Sequence, residues 1–195
     1  MIQTDCATVA VIGGGASGMM AALTAAQIPG RRVILLERQQ RVGRKLLATG
    51  NGRCNLCNLN AAPKAYEGTD ATFAAPALLA FPPQSTLSFF GQLGLLTVAE
   101  PGGRIYPLSD SSNSVLDVLR FALDRDGVEL RCGAPVESIR RTGKGFQLSG
   151  AEPGTLHADA VILACGGAAG AKLGGVNDGY RLAKTLGHHR TAPYP

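Results

Sequence analysis

Glycines at 13, 15 and 18 set a G-x-G-x-x-G spacing in the run Gly13-Gly14-Gly15-Ala16-Ser17-Gly18, and a carboxylate, Glu37, follows roughly 20 positions further on. The chemistry of such a set is the holding of a diphosphate. Gly13 permits the tight turn, Gly15 lets the backbone approach a pyrophosphate, and Gly18 lets a helix lie close against a strand. The free N–H groups at the start of that helix, with its dipole, favour the two phosphates. Glu37 can accept hydrogen bonds from ribose hydroxyls. From Arg38 to Asn55 come glycines, amides, four arginines and a lysine, a supply of donors for phosphates or for a polar ring edge.

Such residues need a strand–helix–strand unit to position them, and the sequence supplies one. Val9-Ala10-Val11-Ile12 is a short apolar run suited to a buried parallel strand. Residues 19–26 are good helix formers, Pro29-Gly30 ends the helix, and Val33-Ile34-Leu35-Leu36 makes a second strand with Glu37 at its end. The stretch 38–55 has no sustained period and reads as a loop, and residues 56–72 read as irregular. Residues 73–81 and 84–93 read as short helices divided by Pro82-Pro83, with Ser85 or Thr86 offering a cap. Short strands are expected at 95–98 and 104–107, then an amphipathic helix capped by Ser112 or Asn113 and ended by Gly127. Residues 128–132 form a third parallel strand, 136–140 and 145–148 a hairpin, and 160–164 a fully apolar strand leading into Cys165-Gly166-Gly167. Asp178-Gly179 opens a last helix, which Gly187 ends. The expected class is α/β, a Rossmann-like parallel sheet with a β-hairpin or meander insertion.

Bulk composition narrows the partners. At 195 residues, 45% apolar and 17% charged, the chain is long enough for a core and is not a disordered one. The net charge of +5 is scattered and only 5% of residues are aromatic, so no nucleic-acid partner is expected. Five cysteines, an odd number, argue against a disulfide framework and for a reducing, cytoplasmic setting. Residues 6–30 carry no charge, but the glycine run in their middle fits strand plus helix better than a membrane span, and no basic region precedes them.

With these residues in view, the chain resembles the HI0933-like flavoproteins, FAD-dependent oxidoreductases of the two-dinucleotide-binding superfamily. The resemblance rests on Gly13 to Gly18, on Gly43-Arg44-Lys45-Leu46-Leu47 to Gly52-Arg53-Cys54-Asn55, on Gly103-Arg104-Ile105-Tyr106-Pro107, on 160–167 and on Asp178-Gly179-Tyr180-Arg181. It implies a glutathione-reductase-like fold with FAD as cofactor and NAD(P)H as a candidate electron donor. Gly13, Gly15, Ala16, Ser17 and Gly18 would hold the pyrophosphate and Glu37 the adenosine ribose, with Arg38 beside it. Arg44, Lys45, Asn51, Gly52, Arg53, Cys54 and Asn55 would line the path from phosphate to isoalloxazine. Val136 would meet adenine through its backbone. Ala164, Cys165 and Gly166 fill the second dinucleotide motif, and Asp178 matches an acid near the cofactor. The resemblance also implies that residues 1–195 are the amino-terminal portion of a FAD-binding domain, incomplete at the C-terminus, with the inserted substrate domain and closing segment missing. The expected function is hydride or electron transfer through FAD on a small-molecule substrate, without a membrane partner. The alternatives are an NAD(P)-binding dehydrogenase domain, against which the loop after Glu37 argues, and a non-catalytic truncated remnant.

Other reactive side chains have plainer readings. Cys54-x-x-Cys57 follows a glycine-rich loop rather than opening a helix, so a cofactor-lining loop is preferred to a redox dithiol. Cys132, Cys165, His188 and His189 lack ligand spacing for zinc. The two histidines follow a helix end, where a charged imidazole is favourable. Cys165 reads as a small packing residue. No side chain stands out as an acid or base, because the flavin carries the chemistry.

Overall fold

The computed structural model describes residues 6–68, 70–150 and 154–191. In chain order the strands are β1 (Ala7–Ile12), β2 (Arg31–Glu37), β3 (Cys57–Asn58), β4 (Thr97–Ala99), β5 (Arg104–Pro107), β6 (Glu129–Cys132), β7 (Val136–Thr142), β8 (Gly145–Gly150), β9 (Thr155–Ala158) and β10 (Ala160–Leu163). The helices are α1 (Ala16–Ala26), α2 (Arg44–Ala48), α3 (Ala75–Ala80), α4 (Pro83–Gln92), α5 (Ser112–Arg125) and α6 (Asp178–Thr185). Short 3₁₀ turns stand at Thr49–Gly52, Pro63–Ala65, Ala71–Ala74 and Ala171–Leu173. The chain divides into two units, Met1–Lys45 with Arg120–Pro195, and Leu46–Leu119.

The first unit is built on a parallel sheet in the order β10-β1-β2-β6. β1 sits in its middle, pairing Ile12 with Leu36 on one side and with Leu163 on the other. Alternation along the strands sorts their side chains onto two faces. Ala10, Ile12, Ile34 and Leu36 share a buried cluster with Ala134, Ile139, Leu148, Ala158 and Leu182, so this face is covered by the antiparallel sheet β7-β8-β9 and by α6. Val9, Val11, Val33 and Leu35 are buried on the opposite face. There α1 packs along β1 and β2 and buries Met19, Ala22 and Leu23. Burial on both faces is why β1 and β2 read as continuous apolar runs.

The second unit holds the antiparallel sheet β3-β5-β4, the helices α3 and α4, and the start of α5. Its buried side chains include Phe90, Leu95, Ile105, Tyr106 and Leu116. Proline sets its helix starts. Pro82 lies before Pro83 and is extended at ψ 169, so α4 begins at Pro83 without a side-chain cap. The cap expected from Ser85 or Thr86 is therefore absent, and both residues instead donate their N–H groups to the Pro82 carbonyl in the first turn.

Three further expectations shift. The helix expected at 73–81 splits into a 3₁₀ turn followed by α3, with Pro76 in its first turn. The cap of α5 is one position earlier than expected: Ser111 Oγ accepts the Asn113 N–H at 3.3 Å. Ser112 is itself helical, and its hydroxyl donates to the Leu47 carbonyl. The stretch after β2 is not loop throughout, since Arg44–Ala48 is helical. The hairpin expected after β6 is present, extended by β9 into a meander.

Candidate cofactor site

In the first unit the glycines divide their work by space. A Cβ on Gly18 would stand 1.7 Å from the Gly13 carbonyl oxygen and 3.3 Å from Ala164 Cβ. A Cβ on Gly13, whose φ is +111°, would come within 2.4 Å of the Ala164 carbonyl oxygen. The turn after β1 thus crosses directly against the end of β10, where the Ala164 N–H donates to the Ile12 carbonyl at 2.8 Å. Gly15 differs: nothing lies within 4 Å of where its Cβ would be. It is the N-cap of α1, which has no side-chain cap and no acidic residue in its first turn, and Ala16 and Ser17 are exposed. A helix start with unshared N–H groups, an open ledge and no competing carboxylate in that turn fits an anion.

Glu37 closes the ledge. Its Oε2 accepts the Gly14 N–H at 2.6 Å and its Oε1 accepts the Gln39 N–H at 2.7 Å. These charge-assisted bonds fix the carboxylate beside the glycine turn, and each oxygen keeps a further lone pair for a hydroxyl. Gly14 and Gln39 were not singled out by spacing. Gly14 is explained by crowding, since a Cβ there would lie 2.5 Å from Val42 Cγ1 and 3.0 Å from the Glu37 side chain.

The cations after β2 reach across to the segment after β10. Arg38 Nη1 pairs with Asp178 Oδ2 at 3.1 Å, which places the expected acid at the start of α6 beside the end of β2. Arg44 Nη2 donates to the Lys172 carbonyl at 3.1 Å, and Lys45 Nζ to the Gly167 carbonyl at 3.5 Å. Gly166, at φ +71°, leaves room for this lysine: a Cβ there would stand 3.0 Å from Lys45 Nζ. Cys165 donates its thiol to the Ile12 carbonyl. Val136 opens β7 opposite Gly150, just after the Ala134 N–H has bonded the Glu37 carbonyl at 2.9 Å.

The remaining expected residues, Asn51, Gly52, Arg53, Cys54 and Asn55, belong to the second unit. Asn51 and Cys54 hold φ of 55° and 60°, unusual for residues with a side chain, and Gly50 and Gly52 are also left-handed at 55° and 87°. Arg53 is held on three sides of its side chain by protein groups: its Nη2 bonds Glu100, its Nε bonds Asp110, and its guanidinium lies 4.1 Å from the centre of the Tyr106 ring. The two carboxylates, Glu100 first, hold the Arg53 pKa well above the ordinary arginine value.

Burial pushes the thiols of Cys54, Cys57 and Cys165 upward, with Asp178 adding to the rise at Cys165. These are quiet thiols, the opposite of an activated dithiol. Among the described residues no group of three or more His, Cys, Asp or Glu side chains is placed to hold a metal ion. No helix of the described residues is long and apolar enough to cross a membrane.

Against known families, residues 7–193 match the HI0933-like protein Rossmann domain. The chain belongs to the HI0933-like family. That family is one of FAD-dependent oxidoreductases. Among its relatives is the 3-dehydro-bile acid delta(4,6)-reductase of Clostridium scindens, 45% identical over 181 residues, a match covering 92% of this chain and 44% of that protein. A ribosomal RNA dihydrouridine synthase of Escherichia coli is 30% identical over 177 residues, covering 91% and 44%. The HI0933-like chain thus spans less than half the length of either relative. The same fold is present in NikD, an amino acid oxidase of nikkomycin biosynthesis, at a TM-score of 0.55 and 18% identity over 93% of this chain and 55% of that one. It is present also in THI4 of Thermovibrio ammonificans, at a TM-score of 0.53 and 16% identity over 82% and 57%.

Proposed function

We propose that this chain is the FAD-binding part of a flavin-dependent oxidoreductase acting on a small-molecule substrate, and that the parts recognising the substrate lie outside residues 1–195. The observation that carries the reading is the ledge at Gly15, open above an uncapped α1 and flanked by Glu37. Bound there, FAD would supply the hydride or electron transfer. The chain's own residues bind and orient. The α1 N–H groups at Ala16, Ser17 and Gly18 would hold the pyrophosphate. Glu37, fixed by the Gly14 and Gln39 N–H groups, would accept the ribose hydroxyls. Arg38, Asp178, Arg44 and Lys45 brace the segment after β10 against the segment after β2, which would hold Ala164, Cys165 and Gly166 beside the cofactor. Val136 would meet adenine through its backbone. Asn51, Gly52, Cys54 and Asn55 belong to the second unit, and it is the resemblance that assigns them to the cofactor path.

The greater identity to the Clostridium scindens reductase supports a small-molecule substrate. The Escherichia coli relative supports a second reading, reduction of a base in RNA, so nucleic acid is not excluded as a partner. Titration of the purified chain with FAD, followed by flavin fluorescence, tests the cofactor. Weak, saturable FAD binding with no preference for NAD(P)H is expected. Absence of any FAD binding, both alone and with the coding sequence extended downstream, overturns the proposal. Turnover of RNA uridines by the extended protein would select the second reading.

A further inference from the structure

The resemblance casts Arg53 as a lining of the cofactor path, but its surroundings are those of a clamp. Its Nε bonds Asp110 and its Nη2 bonds Glu100, so two of its three nitrogens face carboxylates, and one face is covered by Tyr106. With two carboxylates around one guanidinium the cluster is net negative, and an approaching phosphate would be repelled where an unpaired arginine would attract it. The two acids are themselves anchored at the two ends of β5. The Glu100 N–H donates to the Arg104 carbonyl at 2.8 Å, and the Asp110 N–H to the Pro107 carbonyl at 2.9 Å. Arg53 is the ordinary right-handed residue, φ −93°, inside a segment whose other members are left-handed at Gly50, Asn51, Gly52 and Cys54. Tyr106 touches that segment a second time: a Cβ on Gly50 would stand 3.3 Å from its ring and 2.9 Å from the Asn55 nitrogen. Non-glycine residues in such a conformation persist only where the surroundings over-determine them.

We infer that Arg53 is a positioning residue: with Glu100, Asp110 and Tyr106 it locks residues 50–54 in their left-handed course, where the Arg53 and Cys54 N–H groups are held by the Gly50 and Thr49 carbonyls, so that this segment offers a cofactor the exposed amides of Asn51 and Asn55, not the guanidinium. The assignment rests on the FAD reading for its purpose, though not for the clamp itself.

The test compares Arg53→Lys, Glu100→Gln, Asp110→Asn and Tyr106→Phe in the cofactor-free chain by amide hydrogen exchange, and in parallel by FAD titration. Lysine keeps the charge but loses the fork. Arg53→Lys, Glu100→Gln and Asp110→Asn are each expected to speed exchange across residues 50–55 by roughly tenfold while β1, α1 and β2 stay protected. Tyr106→Phe, which keeps the ring, should change it by less than about twofold. FAD affinity should fall together with protection. The inference is overturned if Arg53→Lys weakens FAD without loosening the segment, or if Glu100→Gln tightens FAD by freeing the guanidinium. If Arg53→Lys fails to fold, the two acid variants decide. Should none of the proteins bind FAD, alone or with the coding sequence extended downstream, the cofactor reading fails, and the exchange data alone still judge the clamp.

Discussion

At Gly15 an added methyl meets open space, and at Gly18 it meets the Gly13 carbonyl at 1.7 Å. Two substitutions of the same kind should therefore fail in different ways. Gly15→Ala, at φ −78°, is expected to cost about 1 kcal/mol at most, the price of a poorer N-cap. It should weaken FAD by roughly tenfold, because the methyl occupies the ledge. Gly18→Ala forces backbone apart and should cost about 1–3 kcal/mol or prevent folding. Thermal melts beside flavin titrations separate the two. The cysteines supply a second residue-level outcome. Only a thiolate reacts with iodoacetamide, and burial raises Cys54 and Cys165, so both should be alkylated far more slowly than exposed Cys6 at pH 7. The gap should narrow as pH rises towards the raised values of Cys54 and Cys165. Peptide mapping by mass spectrometry reads it. The close packing at Gly13 and Gly18 was legible in the sequence because the motif's spacing dictates it. The engagement of Arg53 was not, because its partners lie 47 and 57 positions away and only the fold brings them in.

Elements with a strong period announced themselves. β1, α1 and β2 were readable because continuous apolar runs flank a segment of helix formers. α2 was not, since Arg44–Ala48 is too short to show a period. The start of α4 was misread through its Ser and Thr, where proline's restriction of Pro82 decides the boundary. Packing gives α6 its weight. Leu182 is fully buried among Ala10, Ile12, Ile34 and Leu36, and the same helix begins at Asp178, the partner of Arg38. Leu182→Ala should cost about 2–5 kcal/mol. The same truncation at Leu79, 72% exposed, should stay within about 0.5 kcal/mol. Urea denaturation of the two variants checks the contrast.

For the whole molecule, length is the governing number: the chain covers 44% of the Clostridium scindens relative. The open ledge at Gly15 and the Glu37 carboxylate both lie in the first unit, and on the proposed reading they would serve the adenosine half of FAD. Flavin retained through gel filtration is accordingly expected to rise from a small fraction for this chain towards one per chain when downstream sequence is added. β10 carries a different consequence. Among the described residues it sits at the rim of the parallel sheet, Ala160-Val161-Ile162-Leu163 bears no charge, and Ile162 is 36% exposed. An uncharged rim strand is a template for any other strand that drifts alongside. Concentrating solutions of this chain by itself is therefore expected to raise light scattering through strand-on-strand association, held in check by the strand's length of only four residues.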